Sequence, residues 1–407
     1  MLSHRFRTTA LLTLTTAALA ACGADVHGTA HPAEIDVRTL DVGKYSTDPL
    51  ELRYTYDPSM ANGFNLAVQR LADHVVTGPD IDPMLVYGTG AITILDAEKA
   101  TKVLAKATQP VLTDNHMMFG ISVGHSEKEP DKSGAVPPGS AFTTVTVLQF
   151  PDAAAASKAA QELDDADFGV APDLNQRVSL PKYPDAHAHW RPGVASIGST
   201  WARGNYVVDL YVGVKDPDLS QLTALAEKVY AAQGPLLDSL KPLDREGILR
   251  LPYDSEGMRR QTLVLDGGWS PNFVTQAVAE PRGYLHRVTD QDYWRRVLSD
   301  YGVDRFANSG ASYSGSTMLF RTRDAQAAGK LADLVLERGY SVIADVPTGI
   351  PGAKCGESTA KSQYSSAKRY RCVLSYRRYA ASVESDQLAD VRQRAAAQYA
   401  LLANSTW

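Results

Sequence analysis

Residues 143–153, Thr-Thr-Val-Thr-Val-Leu-Gln-Phe-Pro-Asp-Ala, contain the pattern that decides the fold of this chain. Apolar and polar residues alternate up to Phe150, which is typical of a half-buried β-strand. Pro151 and Asp152 then end the strand, and Asp152 is a suitable N-cap for the alanine-rich helix that follows. The stretch therefore predicts a strand, a cap and a helix in direct succession.

The same succession occurs again in the second half of the chain. Residues 316–321 alternate as a strand, and Asp324 precedes a helix predicted over 325–337. Because a strand, an aspartate cap and a helix follow one another in the same order as in the first half, the repetition indicates an internal duplication.

A second pair of segments follows in the same order. A strand predicted over 205–212 precedes Asp218 and an amphipathic helix, and a strand predicted over 369–376 precedes Asp386 and another helix. In both pairs, the first-half segment is separated from its second-half counterpart by a similar length of chain. Small differences in loop length are therefore enough to align the two halves.

Both halves contain runs of strands separated by only one or two helices. This arrangement favours α+β domains, each a largely antiparallel sheet packed with helices. Residues 243–247 break both periodicities, and the chain is longer than one core usually allows. We therefore expect an N-terminal domain over 43–243 and a related C-terminal domain over 250–405.

Two glycine-containing segments resemble nucleotide-binding or catalytic loops but lack their context. Gly88-Thr89-Gly90 has no third glycine and no following helix, so it predicts a hairpin turn. Residues 310–314 lack the final glycine of a nucleophile elbow and precede a strand instead of a helix. The sequence assigns no catalytic residue.

The first 22 residues have the pattern of an exported lipoprotein. A basic start precedes an apolar run that suits a signal-peptide core but is shorter than the roughly 20 residues that span a bilayer. The run ends in the lipobox Leu19-Ala20-Ala21-Cys22. We expect residues 1–21 to be removed, Cys22 to carry diacylglyceryl and acyl chains such as palmitate, and 22–42 to form a tether. The alternative is ordinary secretory cleavage after Ala20, with Cys22 incidental.

Charge and hydropathy limit the classes of partner. The net charge of −5 is mixed in sign along the chain, which argues against a nucleic-acid partner. No later apolar stretch reaches transmembrane length, so the expected membrane attachment is the N-terminal lipid. The expected location is the outer face of the cytoplasmic membrane, where the partner would be an envelope lipid, glycopolymer or protein.

Cys355 and Cys372 are the two cysteines that remain after the lipobox. An exported protein folds where thiols oxidise, so we expect them to form a disulfide that holds the polar, flexible segment between them. The alternative, a metal site, lacks a nearby histidine or further cysteine.

A candidate metal site lies at Asp185, His187 and His189. In an extended backbone these three side chains alternate onto one face, where one carboxylate and two imidazoles could bind a divalent metal, the one cofactor that the sequence offers. The alternative is a turn at Asp185 followed by a strand with two surface histidines.

A second candidate surface combines basic and aromatic residues. Its members are Arg369, Tyr370, Arg371, Tyr376 and Arg377. Cation and stacking contacts suit anionic glycopolymers or lipid head groups. The alternative interpretation is an edge strand protected from aggregation by outward charges.

The lipobox, the segment Ile35-Asp36-Val37-Arg38-Thr39-Leu40-Asp41, the strand at 204–208 and the final helix at 390–402 together carry a family resemblance. The chain resembles an actinobacterial family of tandem-domain lipoproteins of unknown function. The strand, cap and helix unit also resembles, more weakly, the extracellular sensor domains of mycobacterial receptor kinases. The first resemblance implies a lipidated Cys22 and two domains, but no catalytic residue.

These observations favour a membrane-anchored envelope lipoprotein that binds a ligand or partner between or within two related domains without catalysis. One alternative is a metal-assisted hydrolase of unfamiliar type built around Asp185, His187 and His189. The other is an envelope scaffold without a small ligand.

Overall fold

The computed structural model of the chain describes residues 35–49, 56–265, 270–311, 315–360 and 368–405. The predicted signal peptide at 1–21, Cys22 and most of the tether lie outside these residues. In the part of the chain that the structure describes, no helix is long and apolar enough to cross a membrane.

The first half builds a seven-stranded sheet around which its helices pack. Strands β1 to β7 span Tyr87–Ile94, Phe119–Ser126, Phe142–Gln149, Gln176–Val178, His187–Trp190, Ser196–Arg203 and Tyr206–Gly213. Their order in the sheet is β1-β2-β3-β7-β6-β5-β4, and all neighbours are antiparallel. Helices α1 to α7 span Met60–Ala72, Gly78–Ile81, Ala97–Ala100, Gln109–Asp114, Ala153–Phe168, Leu219–Asp238 and Arg245–Leu249.

The two faces of this sheet are covered by different helices. On β7, Val208 and Leu210 face the larger apolar core, to which α1 and α6 contribute. Val207 faces the opposite side and packs with α5. The strand β7 is therefore buried on both faces, which is why Val207 and Val208 are both apolar.

The second half builds another seven-stranded antiparallel sheet. Strands β8 to β14 span Val278–Ala279, Arg305–Ala311, Gly315–Arg321, Tyr340–Ile343, Lys354–Ser358, Tyr370–Tyr376 and Tyr379–Ser385. Helices α8 to α11 span Pro281–Leu285, Gln291–Asp300, Ala325–Glu337 and Leu388–Asn404. The sheet order is β11-β12-β13-β14-β10-β9-β8, with α10 and α11 packed against its strands.

The two halves share one topology. Starting from β1 and from β8, the strands follow the same order in both sheets. In each half one long helix follows the third strand, α5 or α10, and another follows the seventh, α6 or α11. The predicted α+β class with two related domains, each a largely antiparallel sheet, is confirmed.

Two local predictions about the second half differ from the structure. The strand predicted over 369–376 is β13, but the topological counterpart of β7 is the next strand, β14. The N-cap of α11 is Gln387, because Asp386 instead accepts hydrogen bonds from Lys368 and Arg369.

The expected hairpin turn at Gly88-Thr89-Gly90 is a bulge within the continuous strand β1. Gly90 has a φ of +122°, which favours glycine, and the Gly88 N–H donates to Thr289 O at 2.7 Å. A contact from the second half therefore helps to hold this irregular strand.

Residues 37–48 pack against the last helix of the second half. The Tyr45 hydroxyl donates to Asp390 at 2.6 Å and accepts from Arg394 at 2.9 Å, and Gln393 donates to Asp41 at 3.1 Å. The sequence placed the end of a tether and the start of the N-terminal domain here. In the structure the segment instead adds to the core beside α11.

Candidate functional site

The two sheets meet at a junction that is joined by backbone and side-chain hydrogen bonds, within one compact unit over Val37–Trp407. The start of β1 runs beside the segment before α9. Gly88 N donates to Thr289 O at 2.7 Å, and Gln291 N donates to Val86 O at 3.0 Å. This pairing fixes the position of one half relative to the other.

Two buried glutamines also fix the junction. Gln291 accepts from Gly78 N at 3.0 Å and donates to Leu285 O at 3.0 Å. Gln69 accepts from Val278 N at 3.2 Å. Because each amide bonds the backbone of a neighbouring segment, the two halves have a defined mutual position.

A cavity of about 380 Å³ opens at this junction. Residues 88–91, 130–132 and 134 of the first half and residues 273–274 and 286–289 of the second form its walls. Its volume lies at the lower end of the ~300–1,000 Å³ that is usual for small-molecule sites. Both domains would therefore contact a bound molecule.

Two histidines lie at the junction, one from each half. His125 is fully buried and His286 is 4% exposed, with 6.3 Å between their ring centroids. His125 Nδ1 bonds Thr143 at 3.0 Å, and His286 Nε2 bonds Val75 O at 3.1 Å. The other ring nitrogen of each, His125 Nε2 and His286 Nδ1, is buried and has no hydrogen-bond partner among the residues that the structure describes.

Burial dominates the electrostatics of these groups. It lowers the pKa of His125 to about 3, with the neighbouring His286 adding to the effect, and it lowers the pKa of His286 to about 4. Both rings are therefore neutral at pH 7. Burial also lowers the pKa of Arg287 to about 10, which leaves it cationic, and its guanidinium donates to the carbonyls of Phe273 and Val274.

A larger cavity, of about 650 Å³, lies in the first half between α1, α4 and α7. Phe64, Met118 and Arg245 are among the residues that line it. Among the described residues, none of its lining side chains is a buried polar group without a partner. The junction cavity therefore has the stronger indication of a specific ligand.

The predicted metal site does not form. Among the described residues, no group of three or more His, Cys, Asp or Glu side chains is arranged to hold a metal. Asp185 lies in an exposed turn before β5, whereas His187 and His189 lie on the strand.

His189 instead belongs to a polar cluster that joins α5 to the edge of the first sheet. Its Nδ1 lies 2.7 Å from Asp164 of α5, and Arg177 of β4 binds the same carboxylate. Asp164, Asp165 and Asp167 crowd the C-terminal end of α5, where the helix dipole disfavours negative charge. Arg177 and His189 offset that cost, so the cluster has a structural explanation.

The predicted basic and aromatic surface is divided between environments. Its members were Arg369, Tyr370, Arg371, Tyr376 and Arg377. Arg371 is partly buried, 2.5 Å from Glu384, whereas Tyr376 is buried and its ring packs edge-on against Tyr399. Because β13 lies between β12 and β14, the alternative of a protected edge strand does not apply either.

Cys355 and Cys372 face each other on β12 and β13 and form a disulfide, as predicted. Both are fully buried. The bond fastens two neighbouring strands at the base of the segment between them.

Comparison with known families covers both halves of the chain. Two family models match, and both describe DUF7373, a domain of unknown function. Residues 54–253 match its N-terminal part, and residues 258–405 match its C-terminal part. This chain belongs to the DUF7373 family. The tandem-domain resemblance found in the sequence is thereby confirmed.

The DUF7373 chain is also similar to the extracellular domain of PknH from Mycobacterium tuberculosis. The sequence identity is 10%, the match covers 40% of this chain and 93% of that domain, and the TM-score is 0.29. None of the curated proteins matches the chain.

The sequence did not reveal the junction between the two DUF7373 domains. His286 bonds Val75, which lies 211 residues away, and Gln291 bonds Gly78 from 213 residues away. No local pattern marks such contacts. The one local signal was Gly88-Thr89-Gly90, whose glycines allow the close approach: a Cβ on Gly88 would lie 2.6 Å from Val288 O.

Proposed function

We propose that this chain is an exported envelope protein that binds a ligand at the junction of its DUF7373 domains without chemically converting it. A lipid on Cys22 would hold it at the outer face of the cytoplasmic membrane. The lipobox and the Cys355–Cys372 disulfide support the location, since disulfides persist outside the cytosol. The envelope would supply the ligand.

The observation that carries the binding function is the junction cavity with His286 in its wall. Buried polar atoms are nearly always hydrogen-bonded, and leaving one unpaired costs roughly 1–3 kcal/mol. The Nδ1 atom of His286 has no partner within the described part of the chain. Because this atom is buried, a bound molecule would supply the partner, and recover that free energy, only by displacing the wall beside the ring.

A single introduced thiol tests occupancy of the cavity. Val274 lines the cavity and is 64% exposed, so Val274→Cys should react readily with a thiol reagent. Val342→Cys is the matched control, because Val342 is 60% exposed and does not line the cavity. The native cysteines do not interfere, since Cys22 would be acylated and Cys355 and Cys372 are bonded.

We expect a small-molecule extract of the envelope to slow labelling at position 274 but not at position 342. Equal labelling rates with and without extract at both positions would contradict ligand binding at the junction. That result would favour the scaffold alternative.

The anchor has its own test. Cys22→Ala removes the thiol that accepts the lipid, so the variant should remain unprocessed or leave the membrane fraction. If the variant fractionates with the membrane at mature size, the lipoprotein assignment is wrong.

A further inference from the structure

We propose that the cavity of about 650 Å³ in the first domain binds the hydrocarbon chain of a lipid and leaves the lipid head group in solvent. This site is separate from the junction cavity, so the inference goes beyond the proposed function and does not depend on it. It rests on the position of the cavity between two apolar cores, on the polar groups of its walls and on the balance of charges at its mouth.

The cavity lies at one end of the first sheet, where the cores on the two faces of the sheet meet. Phe64, Leu95 and Met118 pack against the larger core, whereas Leu112 belongs to the other core and Met117 packs against it. All five line the cavity, and Leu95 directly follows β1 while Met118 directly precedes β2. The interior of the cavity is therefore apolar on opposite sides.

Two consecutive methionines supply the adaptable part of this wall. Helix α4 ends at Asp114, and His116 then has a φ of +57°, in the left-handed conformation that often ends a helix. The turn is closed by Met117 N, which donates to Leu112 O at 2.9 Å. Because successive residues of an extended chain point to opposite faces, one methionine reaches each core. Their unbranched side chains adapt to a flexible chain and offer no aromatic face for a flat ring.

The polar groups of the walls favour a ligand whose buried part forms no hydrogen bonds. In the described part of the chain, none of the lining side chains is a buried polar group that lacks a partner. A peptide or a sugar would bury its own amides or hydroxyls here, which is costly unless the walls pair with them. A hydrocarbon chain needs no such partner, and its transfer from water is favourable.

The charged side chains lie at the mouth of the cavity and nearly cancel. Asp96 pairs with Lys99 at 2.8 Å, and Asp244, the N-cap of α7, is followed directly by the oppositely charged Arg245. All four are exposed, as is His116 at the same rim. Because opposite charges lie close together in water, the mouth selects neither an anionic nor a cationic head group. Recognition therefore depends on the chain of the lipid.

Isothermal titration calorimetry of the Cys22→Ala chain with hexyl, heptyl and octyl glucoside, each below its critical micelle concentration, tests the proposal. The substitution removes the acceptor of the anchor lipid, whose own chains would compete. We expect one molecule bound per protein chain and up to about fourfold tighter binding for each added methylene group. Octanoate and octyltrimethylammonium should match octyl glucoside within about fivefold, since exposed charges interact weakly.

A matched pair of variants tests the location of the site. Thr113 is exposed and lines the cavity, so the indole of Thr113→Trp would occupy the mouth and weaken octyl glucoside binding by at least about tenfold. The next residue of the same helix, Asp114, is also exposed and is not among the residues that line the cavity. Asp114→Trp should therefore bind octyl glucoside as the parent chain does. Because both positions are exposed, neither substitution alters the core.

Several results would overturn the proposal. They are no binding of octyl glucoside, an affinity that does not rise with chain length, equal affinity in the two tryptophan variants, and a preference for one head-group charge beyond about fivefold. If 2-naphthyl glucoside binds as tightly as octyl glucoside, the site takes a flat aromatic group and the assignment of an alkyl chain is wrong. Thiol labelling at position 274 reports on the junction cavity alone, so the failure of either proposal is distinguishable from that of the other.

Discussion

Asp73, the C-cap residue that follows α1, should make the stability of the protein depend on pH in an unusual direction. Its carboxylate accepts the backbone N–H of Glu280 at 2.9 Å, at the start of α8 in the other domain. Burial, together with the negative charge of Glu280, raises the pKa of Asp73 from 3.8 to about 8. Asp73→Asn keeps an oxygen acceptor at this position and removes the ionisable group.

The direction follows from which state holds the proton. At neutral pH the folded protein retains the Asp73 proton that the unfolded chain releases, so stability is full below about pH 4 and is lost as pH rises toward about pH 8. Each pKa unit corresponds to about 1.4 kcal/mol, which gives a loss of up to about 4 kcal/mol at neutral pH. Asp73→Asn should therefore raise the free energy of unfolding at neutral pH by up to that amount and change it little below about pH 4.

Urea unfolding of both proteins across this pH range measures the difference directly. Subtraction removes the contribution of other shifted groups, such as Asp209, whose pKa burial also raises to about 8. The exposed Asp114 supplies a control in Asp114→Asn, which should follow the native curve. If Asp73→Asn is less stable than the native chain at neutral pH, the carboxylate is ionised in the folded state and the reasoning is refuted.

Three further predictions concern the disulfide, the junction and the domains. Replacing Cys355 and Cys372 with serine should lower the free energy of unfolding by up to about 3 kcal/mol in urea, and two free thiols found by mass spectrometry of unreduced protein would exclude the bond. Gly283→Ala should loosen the junction, because its Cβ would lie 2.2 Å from Asp73 Oδ1; unchanged hydrogen exchange at α8 would contradict this. Fragments 43–243 and 250–405 should each fold alone, since each contains a complete sheet; disorder of both by circular dichroism would mean that the junction is required.

The strand, cap and helix units were predictable because each depends on neighbouring residues. Asp152 and Asp324 cap α5 and α10 as expected, accepting from Ala155 N and Ala327 N at 2.8 Å each. Apolar alternation placed the adjoining strands within one residue of their observed ends. The duplication followed from these units, although one strand was matched to the wrong partner because β13 and β14 are separated by only a short turn.

The candidate site was not predictable, because its atoms come from distant parts of the chain. His189 stood out beside Asp185 in sequence, yet its partner Asp164 lies 25 residues away on α5. His286 had no signal in its own neighbourhood, since its isolated Nδ1 becomes apparent only after the two domains are docked. The spacing of Asp185, His187 and His189 in the sequence therefore pointed to residues with a structural role and did not reveal the cavity.

The packing of residues 37–48 on α11 gives the chain a non-covalent closure. This segment precedes the first domain in sequence, but its Tyr45 hydrogen-bonds Arg394 in the last helix of the second domain. A protease that nicks the connection near residue 250 should therefore leave two fragments that elute together under native conditions and separate only in denaturant. Tension applied at the N-terminus would likewise reach the second domain before it reached the first.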